Sequence, residues 1–304
     1  MAAITVDQCP RAGNCQQDRL LVFVHIPKTG GTTVVSALAH KFPADAMHKI
    51  MMRGMSWTAP GHALWPNFLI SRSKIRRLKS ALKDPHALRV IHGHFDLSLR
   101  SVLPADASLV TLLRDPVERV ISHYCHYLRL TTDPAHELAA RSSVTDWVSR
   151  SGLVEMDNGQ TRRLAGAMKV PIGGVSSRTL DKAKANLAQE FSVVGLTERF
   201  EEFQILLHRE FDWTYCRYPA RNVGANRLRQ SQLDAGALEI IRDRNRFDLE
   251  LYRFASGLFE RAAGKFDLDR ELSLLRRAPA LGEPSRTESP RSRPPIARPA
   301  AIQH

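Results

Sequence analysis

The sequence has little cysteine, no long apolar run and no internal repeat, and each shortage closes a class of reading. Cys9, Cys15, Cys125 and Cys216 are the four cysteines among 304 residues. They make no disulfide framework in a chain this long, which can bury a core without one. No apolar stretch approaches the ~20 residues needed to span a bilayer. The opening MAAITVDQCPRAGNCQQDR has neither a basic start nor an apolar h-region. It is therefore not expected to be a secretory signal, and the expected location is cytoplasmic, with peripheral attachment to the inner face of a membrane left open. HYCHY holds His123, Cys125 and His126 inside a helical pattern, where a spacing of two and one does not gather ligands on one face, so no metal is expected. Two phosphate-loop signatures are also missing, G-x-x-x-x-G-K-[ST] and G-x-G-x-x-G. No carboxylate cluster suggests bound magnesium.

What is present is an ordinary globular composition, 43% hydrophobic and 25% charged. A formal charge of +13 suits an anionic partner, whether nucleic acid, membrane surface, acidic glycan or nucleotide. Residues 1–18 read as a loose polar leader and 19–277 as the folded body. Residues 278–304 are rich in Pro, Arg and Ser with almost no large apolar side chains, so disorder is expected there.

In the body, strand and helix patterns alternate. LLVFVHI (20–26), LRVIHGHF (88–95), SLVTLLR (108–114) and SVVGL (192–196) read as buried strands. Helices are expected from Gly31, from Pro116 at an N1 position, over the segment that places Leu180, Ala183, Leu187 and Phe191 on one face, and after Thr197 as N-cap. Closing helices follow from LEIIRDRNRF onward. Alternation of this kind argues for an α/β domain with a parallel sheet flanked by helices.

HIPKTGGTT (25–33) directly follows the first strand. Strand, turn, paired glycines and helix present backbone N–H groups and a helix N-terminus to an anion. Gly30 and Gly31 allow close approach of the backbone, Thr32 and Thr33 can cap the helix or donate to phosphate oxygens, and Lys28 adds a point charge.

FVHIPKTGGTT closely resembles the 5′-phosphosulfate loop of the sulfotransferases, and more narrowly the family that includes heparan sulfate 2-O-sulfotransferase and bacterial relatives. The resemblance implies a P-loop-like, three-layer sulfotransferase fold. It also implies 3′-phosphoadenosine 5′-phosphosulfate (PAPS) as sulfuryl donor with no metal, and a donor site that includes Lys28, Thr29, Gly30, Gly31, Thr32 and Thr33. TLLRDPVERVISHYCHYLR resembles the family's 3′-phosphate motif, with Arg114 and Ser122 in the two key positions. HGHF resembles the segment that carries the general base. His94, further beyond the strand, is preferred as the base, with His92 as its orienting or acceptor-contacting partner. A neutral imidazole suits that role near the working pH. DNGQTRRLAG resembles an acceptor-contacting segment and nominates Asn158, Gln160 and Arg162, although a simple helix start reads equally well. YPARNVGANRLR is expected to close over the nucleotide, with Arg221 or Arg227 near the 3′-phosphate. Five basic residues in SRSKIRRLKS (71–80) suit an anionic or polar glycan, and also suit an ordinary solvated helix face.

The reading is thus a PAPS-dependent O-sulfotransferase acting on a carbohydrate or glycoconjugate hydroxyl. A metal-dependent nucleotide kinase using the same loop is one alternative. A basic nucleic-acid-binding protein is the other, although no recognition motif supports it.

Overall fold

The computed structural model describes residues 19–52, 70–84, 86–133, 135–218 and 228–280. Among them lies a five-stranded sheet in the order β2-β3-β1-β4-β5. The strands are β1 (Leu21–Val24), β2 (Met47–Met51), β3 (Val90–His94), β4 (Ser108–Leu113) and β5 (Phe191–Leu196), and every neighbouring pair is parallel. The helices are α1 (Gly31–Lys41), α2 (Arg72–Ala81), α3 (Pro116–Arg129), α4 (Ala135–Arg141), α5 (Val144–Arg150), α6 (Gly159–Ala165), α7 (Ser177–Glu190), α8 (Phe200–Glu210), α9 (Ala235–Arg244), α10 (Arg246–Ala263) and α11 (Leu268–Arg277).

The continuous apolar run of β1 is explained by burial on both faces. Leu21 and Phe23 pack with Val34 and Leu38 of α1, Leu187 of α7 and Phe203 of α8. Val22 and Val24 pack on the opposite side with Leu78 of α2, Ile91 of β3 and Leu109 of β4. Helices therefore cover both sides of a parallel sheet, which is the expected three-layer α/β arrangement. A third apolar cluster joins Val120 of α3, Trp147 of α5 and Ile241 of α9.

The topology places the crevice. After β1 the chain runs toward the β2 edge, and after β4 it runs toward β5. These two neighbouring strands send their connections in opposite directions, which opens a crevice at their carboxyl ends.

Three details differ from the sequence reading. The strand MHKIM was not expected. As an edge strand it buries only Ile50 and so lacks the apolar signature of the inner strands. Thr197 does not cap α8, because its hydroxyl lies 2.6 Å from the Thr29 carbonyl and 2.8 Å from the Leu113 carbonyl, while a short 3₁₀ turn, Thr197–Arg199, precedes the helix. The folded body also continues past residue 277. The Arg217 N–H donates to the Pro279 carbonyl at 3.1 Å, and Arg217 forms a parallel bridge with Ala280. Among the described residues, no helix is long and apolar enough to cross a membrane.

Candidate active site

The site is built from the ends of β1, β3 and β4. Beyond β1 the chain turns tightly, with Lys28 at φ 69° and Gly30 at φ 85°. A left-handed lysine is uncommon and belongs to a loop fixed by its surroundings. The Thr29 hydroxyl donates to the Ile26 carbonyl at 2.9 Å, and Thr197 holds the same turn from the β5 side. Helix α1 then opens without a side-chain cap and without an acidic residue in its first turn. Its N-terminal partial charge suits an anion.

The structure corrects the capping expected of Thr32 and Thr33. Thr29 and Thr33 are buried, and neither Thr32 nor Thr33 caps the helix. Thr32 is exposed in the first turn of α1. Gly31 is required for a reason the sequence did not reveal. A Cβ there would sit 2.1 Å from the His25 imidazole, which packs against the loop.

Arg114 follows β4 and meets this loop directly. Its Nη1 donates to the Lys28 carbonyl at 3.1 Å, and its guanidinium lies 3.5 Å from Glu118 and 4.0 Å from Glu198. The two phosphate-loop segments found separately in the sequence are thus joined. Half-buried Ser122 sits further along α3, whose start is set by the Asp115 side chain accepting from the Glu118 N–H at 3.0 Å and by Pro116. Arg221 and Arg227 lie outside the described residues.

At the end of β3, His94 Nδ1 donates to the His25 carbonyl at 2.9 Å. A carbonyl can only accept, so this bond fixes the tautomer and leaves Nε2 as the basic nitrogen of the neutral ring. The His25 ring packs on His94 with centroids 4.2 Å apart. Burial, and then the nearby Arg163 guanidinium, pull His94 down to about 4, against the opposing pull of the His25 carbonyl and Glu155. His92 is buried beside it and lowered by burial, with Lys49 and His48 adding to the effect. His25 is held well below its ordinary value, chiefly by burial and then by His94. All three imidazoles are therefore neutral near pH 7.

Asn158, Gln160 and Arg162 do not occupy the acceptor position expected for them. All three are buried, with Gln160 and Arg162 fully inaccessible. Asn158 accepts from the Phe247 and Asp248 N–H groups at 2.9 and 3.2 Å. Gln160 bonds the Arg114 backbone in both directions. Arg162 pairs with Asp157 and donates to the Pro171 carbonyl. They belong to a buried ionic cluster in which Arg119 lies 3.3 Å from Glu155 and 3.5 Å from Asp248, while Arg163 pairs with Glu155. Carboxylates and guanidiniums are matched there, as burial of charge demands. His123, from HYCHY, accepts from Arg119 at 3.4 Å within this cluster. Among the described residues, no group of three or more His, Cys, Asp or Glu side chains is arranged to hold a metal ion.

His25 and Arg163 were the functional neighbours missed in the sequence. His25 read only as part of the strand run LLVFVHI, and Arg163 was not singled out.

A family model described as Galactose-3-O-sulfotransferase matches residues 2–281. This chain belongs to that family. The family's sulfuryl donor is PAPS, as the resemblance of HIPKTGGTT implied, and the uncapped α1 start, Lys28 and Arg114 fit such a donor. Human heparan-sulfate 6-O-sulfotransferase 1 is 27% identical over 292 residues, covering 80% of this chain and 66% of that protein. Zebrafish (Danio rerio) heparan-sulfate 6-O-sulfotransferase 1-B is 31% identical over 208 residues, covering 59% of this chain and 51% of that protein. The chain thus spans one half to two thirds of the length of these relatives. Among solved structures, mouse sulfotransferase SULT7A1 complexed with PAP aligns at 12% identity and TM-score 0.39, covering 84% of this chain and 88% of that one.

Proposed function

We propose that this member of the galactose-3-O-sulfotransferase family moves the sulfuryl group of PAPS to a carbohydrate hydroxyl. The observation that carries the reading is the meeting of the Lys28 loop with Arg114, beside a neutral, tautomer-fixed His94 on the adjoining strand. Lys28 and the α1 amides hold the 5′-phosphate and stabilise the charge that grows on it as the bond from sulfur to its bridging oxygen breaks. Arg114, with Ser122, holds the 3′-phosphate. His94 Nε2 takes the proton of the acceptor hydroxyl as that oxygen bonds to sulfur, and adenosine 3′,5′-bisphosphate leaves. Little covalent chemistry is asked of the protein. Its contribution is position and electrostatics. His92, more deeply placed against β2, supports His94 or touches the acceptor.

The acceptor we favour is an anionic glycan. Exposed Arg72, Arg76, Arg77 and Lys79 stud α2, and exposed Lys49 on β2 lies near enough to His92 and His94 to lower both. A cationic approach to the base suits a polyanion. The matched relatives are named for heparan sulfate, which agrees with this choice. The kinase and nucleic-acid alternatives gain no support from the family or the relatives. The cytoplasmic location rests on sequence alone, and subcellular fractionation tests it.

Incubation with sulfur-labelled PAPS and a panel of galactosides, desulfated heparins and neutral oligosaccharides tests the proposal. Label in the anionic glycans, lost with Lys28→Ala, is the expected result. Label confined to neutral sugars would overturn the acceptor assignment, and no label in any carbohydrate would overturn the activity.

A further inference from the structure

We infer that Gln160 is a positioning residue for the donor's 3′-phosphate, acting through the Arg114 backbone. The inference rests on the reading of Arg114 as the 3′-phosphate ligand. Gln160 is 0% exposed, so it cannot touch either substrate. Its Oε1 accepts from the Arg114 N–H at 3.0 Å, and its Nε2 donates to the Arg114 carbonyl at 2.9 Å. One side-chain amide thus mimics the pairing of a neighbouring strand. It does so at the place where real pairing ends, because the register of β4 with β5 stops at Leu113 and Leu196. Pro116 begins α3 two residues later. Arg114 thus roots its guanidinium at a hinge between strand and helix, flanked by the Leu113 carbonyl on Thr197 and the Asp115 N–H on Glu198, and Gln160 holds both backbone groups of Arg114 itself.

The amide itself is anchored from the other side. The Gln160 and Thr161 N–H groups donate to the Asp248 carboxylate at 3.0 and 2.7 Å, and the Thr161 hydroxyl adds a third bond at 2.7 Å. Asp248 is held in turn by Arg119 at 3.5 Å. Asn158 accepts from two N–H groups at the start of α10, which locks α6 to that helix. A continuous chain of bonds therefore runs from α10 through α6 to Arg114, and from the Arg114 guanidinium to the Lys28 carbonyl. Through this chain Gln160 sets the distance and direction of the 3′-phosphate ligand without contacting the phosphate. Its consequence is selectivity: the side chain matters for nucleotides that carry a 3′-phosphate and not for those that lack one.

Calorimetric titration of wild type, Gln160→Met and Gln160→Glu with adenosine 3′,5′-bisphosphate and with AMP tests this. Methionine keeps the volume and removes both hydrogen bonds. Its preference for the bisphosphate should fall by about tenfold, the scale of a misplaced charge-assisted contact, while AMP affinity stays near wild type. Glutamate keeps an acceptor for the Arg114 N–H but sets a carboxylate oxygen against the Arg114 carbonyl in a buried site, so its preference should fall at least as far as that of methionine. A folded Gln160→Met with wild-type preference overturns the inference. So does an equal loss for both nucleotides, which would mark a general structural role. If the methionine variant does not fold, Gln160→Glu is judged by the same two criteria. Wild type without any preference would instead overturn the Arg114 reading, and the inference with it, so the two failures appear in different proteins.

Discussion

His94 carries the most exposed chemical claim at the scale of single residues. If it takes the acceptor proton, His94→Ala should lower turnover by roughly 10²–10⁴-fold while leaving bisphosphate binding intact. Lys28→Ala should damage both, because Lys28 meets the donor before and during transfer. Saturating-PAPS assays with both variants check this, and dead His92→Ala beside active His94→Ala would move the base to His92. The pH profile gives a second test. A base must be unprotonated, and His94 is pulled down to about 4, so kcat/KM should lose its acid limb near that value instead of near 6.5. Arg163→Met removes one cause of the depression and should move the limb upward, whereas Arg163→Lys should not. The strand-end positions of Lys28, His94 and Arg114 were legible in the sequence, because each follows an apolar run and lies within two residues of a glycine or proline. For Asn158, Gln160 and Arg162 the sequence left an acceptor contact and a helix start equally open, because nothing in a polar segment announces burial. Their burial becomes affordable only through partners such as Asp248 and Asn245, close to 90 positions away.

The loop between β1 and α1 is where local geometry and function coincide among the elements. Gly31→Ala would put a methyl into the His25 ring, so either the ring or the loop must move. Bisphosphate affinity should drop by at least about tenfold, and the His94 support that His25 provides should loosen with it. Titration against wild type checks the first effect. Unchanged affinity would mean that His25 swings away freely. The inner strands were legible from their unbroken apolar runs, which a sheet buried on both faces requires. β2 was not, because an edge strand with a single buried side chain has no such pattern. Thr197 was read as a cap because threonine before a helix usually is one. Its actual partners, the carbonyls of Thr29 and Leu113, come from the loop after β1 and from the end of β4, which only the folded sheet brings near.

For the whole molecule, the buried imidazoles set an acid limit. His25, His94, His123 and His208 are all lowered, in each case chiefly by burial. In the unfolded chain each takes up a proton near 6.5, and in the folded chain only further into acid. Stability is therefore full above about pH 6.5 and is lost as pH falls through the window toward 4. Melting curves from pH 7.5 to 5 should show a steady decline, and a flat profile would contradict the burial of these rings. Truncation after Ala280 should leave the melting temperature nearly unchanged, because the remaining residues offer almost no large apolar side chains. Truncation after Arg277 also removes Pro279 from Arg217 and should cost more.

The central claim is that the crevice between β1 and β4 serves a sulfuryl donor. Parallel incubations of wild type with sulfur-labelled PAPS and with ATP labelled on its γ-phosphate, each with a sulfated glycan acceptor and with or without magnesium, test it most directly. Sulfur label should enter the glycan without added metal, and phosphorus label should not. Magnesium-dependent transfer of the phosphorus label, with none from PAPS, would contradict it.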